Sequence, residues 1–226
     1  MVLEDQESVK VGSSRARDCE ALFATISPDR LRTYLARSGH EPERALALYM
    51  WNAQVGEAFH IPIQSVEVAL RNRIDRALRA KFSEYWWLCE KFNAVADEER
   101  KKDIALVLAR ITNRNLKLCN GQVVAGLSFG FWVGMLQAKY NPPIWGAQLR
   151  KCFPDLPQGR GRKSLAQEAG KIAYLRNRIW HHEPLIKRDL SDDFRVVMTT
   201  LEWICPVKAA WVRRHCRVPD LLRQKP

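Results

Sequence analysis

The sequence predicts an all-α fold, and three observations carry that expectation. Apolar residues recur at helical spacing along nearly the whole chain. Alternating β-type runs bounded by turns are absent, apart from a short stretch at Val123–Val124. Proline, serine and aspartate repeatedly stand where a helix would begin. The chain has 226 residues and is 46% hydrophobic, which is ample for one core without a disulfide or metal staple. No long low-complexity linker and no repeat divides it. The expected organisation is a flexible N-terminal arm over 1–17, a single helical domain over 18–217, and a short basic tail over 218–226.

Each helix has its own start signal. Ser27-Pro28 offers an N-cap with proline at the first helical position, followed by Leu31, Tyr34 and Leu35 on one face. Pro42 opens a run from Glu43 to Phe59, rich in Ala, Leu and Met. Pro62 opens a second, longer run to Phe82. Asp97 begins a helix to Leu118, with Ile104, Leu108 and Ile111 in register. The glycines from Gly121 to Gly130 break the pattern, and a helix resumes over Phe131–Tyr140. Asn141-Pro142-Pro143 is a stop. Pro154–Lys163 reads as a basic loop. Leu165–Glu183 is helical, and Pro184 ends it. Ser191–Ile204 and Pro206–Arg217 complete the series.

Charge and cysteine usage narrow the classes. Lys and Arg number 37 against 25 Asp and Glu, a net +12, which favours a polyanionic partner. No apolar run approaches the ~20 residues of a membrane span. The longest candidate, Val123–Gln137, holds Ser128 and the glycines 126, 130 and 134. Met1–Arg17 is polar and lacks the apolar region of a secretory signal. Cys19, Cys89, Cys119, Cys152, Cys205 and Cys216 are scattered, with no C-x-x-C spacing. They read as buried thiols of a reduced, cytoplasmic compartment, with no metal site and no cofactor expected.

Two helices carry a charge on the wrong face. On a wheel, Ile63, Leu70, Ile74 and Leu78 form one stripe, with Glu67 inside it and Arg71 just beside it. Asn72, Arg76 and Arg79 point away. A carboxylate in such a stripe is costly unless paired. Glu67 and Arg71 have the favourable i,i+4 orientation, either as a structural ion pair or as the wall of a cleft. On the second helix, Leu165, Ala169, Ile172 and Ile179 define the stripe, and Arg176 sits within it. An arginine there needs a desolvated carboxylate or phosphate. His181 and His182 follow in the last turn before Glu183-Pro184. Histidine at a helix C-terminus suits general acid–base work near neutral pH. An ideal helix would hold Arg176 and His181 about 140° apart. Convergence requires the helix to fray before Pro184, or a second copy to supply the partner group. The bare Arg-x4-His pattern also occurs by chance in many helices.

The segment LRNRIWHHEPL (Leu175–Leu185) resembles the Arg-x4–6-His signature of HEPN domains. Its Asn after Arg and its doubled His are similar to the Abi-like (abortive infection) proteins of that superfamily. Three further stretches fit the same resemblance: Ala47–Asn72, VVAGLSFGFWVGML (Val123–Leu136) and WICPVKAAW (Trp203–Trp211). The resemblance implies a multi-helix HEPN-type bundle with additional helices, acting in phage defence or as a toxin. It implies metal-independent RNA cleavage by 2′-OH attack, leaving a 2′,3′-cyclic phosphate. It also implies a homodimer with a composite cleft, and an antitoxin of protein or RNA. Arg176 would bind the phosphate, and His181 or His182 would move the proton. Asn177 would orient either group. Glu67, Arg71 and Asn72 would line the cleft in a second rank. Trp180 would narrow the cleft or stack on a base. The alternative is a non-catalytic RNA-binding or regulatory module on the same fold.

Other segments have plainer readings. LSFGFW (Leu127–Trp132) reads as packed core, with Gly130 permitting close approach. Arg178, Arg160, Arg162 and Lys163 are candidate RNA-backbone contacts, and the arginines of the tail could track phosphates. Asp192-Asp193 reads as a helix N-terminal charge pair.

Overall fold

The computed structural model describes residues 17–146 and 148–226, and among these it is all-α with no strand. Helix α1 spans 17–26, so residue 17 belongs to a helix. The rest of the expected N-terminal arm lies outside the described residues. Helices α2 (Pro28–Leu35) and α3 (Pro42–Lys81) follow. Next come α4 (Glu90–Val95), α5 (Glu98–Asn113), α6 (Asn120–Gly126), α7 (Phe129–Gly134) and α8 (Gln148–Cys152). The last four are α9 (Arg162–Trp180), α10 (Leu190–Ile204), α11 (Pro206–His215) and α12 (Val218–Arg223). The start of α2 is as the sequence predicts: Pro28 leads, and the Ser27 side chain accepts from the Arg30 N–H at 3.4 Å.

The organising element is α3, a single helix of 40 residues. The sequence suggested two helices meeting at Pro62, but Pro62 lies inside one. Proline in a helix interior costs about 3 kcal/mol. Around it, Phe59, Ile63, Val66 and Leu70 are all 1% exposed or less. Each such side chain contributes roughly 1.5–3 kcal/mol on burial, so together they outweigh the missing hydrogen bond. Helices α2, α7, α9, α10, α11 and α12 all pack against α3.

The region after α5 departs further from the expected pattern. Helix α5 ends at Asn113 rather than Leu118, because Asn115 turns left-handed at φ 50°. The glycine-rich stretch is helical, and Val123–Val124 is buried in α6 rather than extended. LSFGFW is core, as expected: Phe129, Phe131 and Trp132 are at most 2% exposed. Trp86, Phe92, Phe131 and Trp132 form one aromatic cluster with centroids 4.9–6.2 Å apart, edge-to-face except for the stacked Trp86–Phe131 pair. The close approaches fall on other glycines than Gly130, whose added Cβ would meet only Ser128 Oγ at 3.6 Å. A Cβ on Gly126 would lie 2.7 Å from Val107, and one on Gly134 would overlap the Arg100 guanidinium. Asn141–Trp145 makes a single π-type turn.

The C-terminal end is also more ordered than a basic tail. Residues 218–223 form α12, with Val218 fully buried. Trp51 of α3 donates its indole N–H to the Leu221 carbonyl at 2.8 Å. Its apolar spacing of three residues, Val218 to Leu221, supplies that buried face. Among the described residues no helix is long and apolar enough to cross a membrane.

Candidate functional site at the α3–α9 seam

Helices α3 and α9 meet along one seam. Gly56 of α3 faces Ile179, whose methyl lies 3.5 Å from where a Cβ would stand. One turn on, the His60 ring stacks on Trp180, with centroids 5.4 Å apart and planes 26° from parallel. Further along, Glu67 Oε2 faces Arg176 Nε at 4.0 Å. The partner of Glu67 is therefore Arg176 on the second helix, and the i,i+4 pair with Arg71 does not form. Two charges that each looked misplaced on a wheel answer one another across the seam.

Arg176 is not saturated by that contact. Its side chain is 31% exposed, and Nε is buried without a hydrogen-bond partner. Asn177 Oδ1 lies 3.5 Å from Nη1. The guanidinium carbon sits 4.7 Å from the centre of the Trp180 ring, within cation–π range. Trp180 thus links Arg176 to His60.

The histidines are separated by how α9 ends. The helix stops at Trp180, earlier than Pro184 alone would require. His181 caps it, and His182 turns left-handed at φ 53°. The His182 N–H reaches the Ile179 carbonyl at 3.0 Å, and the Glu183 N–H reaches Arg178 at 2.8 Å. These two bonds define a Schellman turn, with histidine where glycine is usual. A non-glycine residue there costs about 1–2 kcal/mol. Arg30 of α2 donates to the His182 carbonyl at 2.6 Å and holds the turn.

Beside this turn lies a cleft of about 870 Å³. His182, His60, Arg30, Glu57 and Trp180 bring polar or aromatic groups to it, and Gly56 and Ile179 form part of its floor. His182 lines it and His181 does not. Arg176 is joined to it through the Trp180 ring. No hydrogen bond or ion pair joins Arg176 to either histidine among the described residues, so helix fraying does not bring them into contact.

The remaining candidates are placed elsewhere. Asn72 is exposed, and neither Asn72 nor Glu67 lines the cleft. Arg71 lies further along α3, its Nε buried without a partner. Burial pushes the ammonium of Lys208 down, and Arg71 pushes it the same way. Arg178 is committed to the turn after α9: it donates to Pro184 O at 2.9 Å and meets Glu183 at 3.0 Å. Arg162 donates to the Leu136 carbonyl, and Arg160 sits 5.6 Å from the Trp203 ring centre. These two brace the basic loop, whereas Lys163 is exposed. Asp192 and Asp193 lie in the first turn of α10, as expected, and Arg188 grips Asp193 with two donors. The six cysteines are unpaired and half-buried, and burial pushes the Cys152 and Cys216 thiols up. Among the described residues no three His, Cys, Asp or Glu side chains gather as a metal-ligand group.

Arg30, Glu57 and His60 were not singled out by the sequence. His60 stands seven residues before Glu67, two turns along one face. Treating Pro62 as a boundary hid that register. Nothing local signals Arg30, which acts on a turn 152 residues away.

No protein-family model, no curated protein and no solved structure matches this chain.

Proposed function

We propose that the chain is a metal-independent endoribonuclease of HEPN type, acting in phage defence or as a toxin. The observation that carries the reading is Arg176, a cation with an unused buried donor, set against the aromatic wall of a histidine-bearing cleft. A bound phosphate is the group such an arginine lacks. Trp180, 43% exposed, offers a face on which a neighbouring base stacks.

The reaction needs no external nucleophile. A ribose 2′-OH attacks the adjacent phosphorus and gives up its proton to a base. The bond from phosphorus to the 5′-oxygen breaks, and that oxygen takes up a proton. The products are a 2′,3′-cyclic phosphate and a 5′-OH end. Arg176 stabilises the charge that grows on the phosphorane oxygens. Of the two histidines, His182 is the one on the cleft wall, so it carries a proton transfer. DNA, lacking the 2′-OH, is not cut.

The second reading is a non-catalytic RNA-binding module, and the Glu67 carboxylate beside Arg176 favours it, because the arginine is then part-neutralised before RNA arrives. Total RNA incubated in EDTA with the native chain and with Arg176→Ala, His181→Ala and His182→Ala separates the two. The nuclease reading expects native cleavage that falls in the Arg176 and His182 variants. Binding without cleavage by the native chain would favour the module.

A further inference from the structure

Two of the five histidines in the chain line one cleft, and they come from distant elements. His182 stands on the turn after α9, and His60 stands in the middle of α3. We infer that His60 is the second proton-transfer group of the cleft, working opposite His182; this rests on the nuclease reading above.

The chemistry asks for two such groups. One proton must leave the 2′-OH as the P–O bond forms, and one must reach the 5′-oxygen as the other P–O bond breaks. In an in-line displacement the two oxygens lie on opposite sides of the phosphorus, so one imidazole does not reach both in a single step. Imidazole is the side chain whose ordinary charge change falls between pH 5 and 8, so a pair of them can hold both protonation states at once.

The geometry is already restrained. His60 is exposed, yet its ring is held nearly parallel to Trp180. Trp180 in turn carries the Arg176 guanidinium. An imidazole, a stacking platform and a phosphate-binding cation therefore stand in one row along the seam. Among the described residues, no hydrogen bond or ion pair occupies the His60 ring, so both nitrogens remain for substrate. The charged and titratable groups that face the cleft around it are Arg30 and Tyr34 of α2, Tyr49 and Glu57 of α3, and Glu183, with Arg176 of α9 behind the Trp180 ring. Cations and carboxylates are both present, so neither histidine is surrounded by one sign of charge.

The test uses a mixed-sequence single-stranded RNA oligonucleotide, in EDTA, across a pH series. His60→Ala and His60→Gln should each lower the cleavage rate by about 100-fold or more, the range general acid–base catalysis supplies. The native rate should be bell-shaped in pH, and His60→Gln should lose one limb. A second substrate carries sulfur in place of the 5′-oxygen at the native cut site, so that its leaving group departs without a proton. It should restore cleavage in one of His60→Ala and His182→Ala and not in the other. Thermal melting checks that the variants are folded. Native-like cleavage by both His60 variants, or a sulfur substrate that rescues both or neither alanine variant, overturns this inference and leaves the nuclease reading standing. Failure of the folded native chain to cleave any RNA overturns both.

Discussion

Arg100 and Arg176 both stand on the inward side of a helix, and both leave Nε without a hydrogen bond. Their surroundings differ. Arg100, in α5, is 4% exposed and enclosed. It donates to the carbonyls of Gly130 and Phe131 at 3.1 Å, pairs with Glu99, and has Asp103 at 3.6 Å. Arg176 has a single carboxylate at 4.0 Å, an aromatic ring and an open side. The first arginine is spent on joining α5 to α7. The second leaves Nε unbonded and sits against Trp180, whose ring lines the cleft. An inward position on a helix is thus common to both, and the number of satisfied donors is what differs.

Substitutions can break this contrast, beginning with the largest effect. Arg100→Leu should destabilise the fold by about 3–5 kcal/mol, as breaking a buried charge network does. Urea denaturation reads it directly. Gly134→Ala drives a methyl into the same guanidinium and should lose roughly 1–3 kcal/mol. A stable Arg100→Leu would mean that the enclosed arginine anchors nothing.

Arg176→Ala should show the opposite split. Its stability should change by less than about 1 kcal/mol, because the pair with Glu67 is long and partly solvated. RNA cleavage should fall at least about 100-fold. A large fall in melting temperature with unchanged cleavage would make Arg176 a second Arg100.

His182→Gly sharpens the same point. Glycine relieves the left-handed turn, so stability should hold or rise by up to about 1 kcal/mol. Cleavage should be lost. Gain of stability with loss of activity is the signature of a strained functional residue, and equal activity would reduce His182 to a helix cap.

The smallest effect is in acid. Burial raises the carboxyl of Asp97, but hydrogen bonds from Lys139, the Arg100 N–H and Tyr140 outweigh it and bring it down to about 2. Its folded-state value lies below the ordinary one. The stability it adds is therefore present above pH ~4 and lost as pH falls towards 2. About 1–2 kcal/mol should vanish over that window, and Asp97→Asn should flatten it in acid melts.

The helical character of nearly every segment was legible, because a 3.6-residue apolar period is local. Glu67 and Arg176 were legible for the same reason: a charge inside an apolar stripe stands out before any partner is known. The exceptions are instructive. Pro62 is a local helix-start signal that burial on both sides overrode. Val123–Val124 looked extended, but it is helical, in α6, which packs against α5 and α3. His60 was hidden behind the proline, so half of the cleft went unread.

By itself, the sequence determined an all-α chain, its buried faces and the two charges that did not belong on them. These follow from propensity and periodicity within one helix. Only the tertiary structure decided that those charges face each other, that His182 rather than His181 meets the cleft, and that His60 joins it. These depend on the docking of α9 on α3 and on Arg30 gripping a distant turn. The physical reason is that a partner's identity is set by contacts between segments far apart in the chain, where local pattern carries no information.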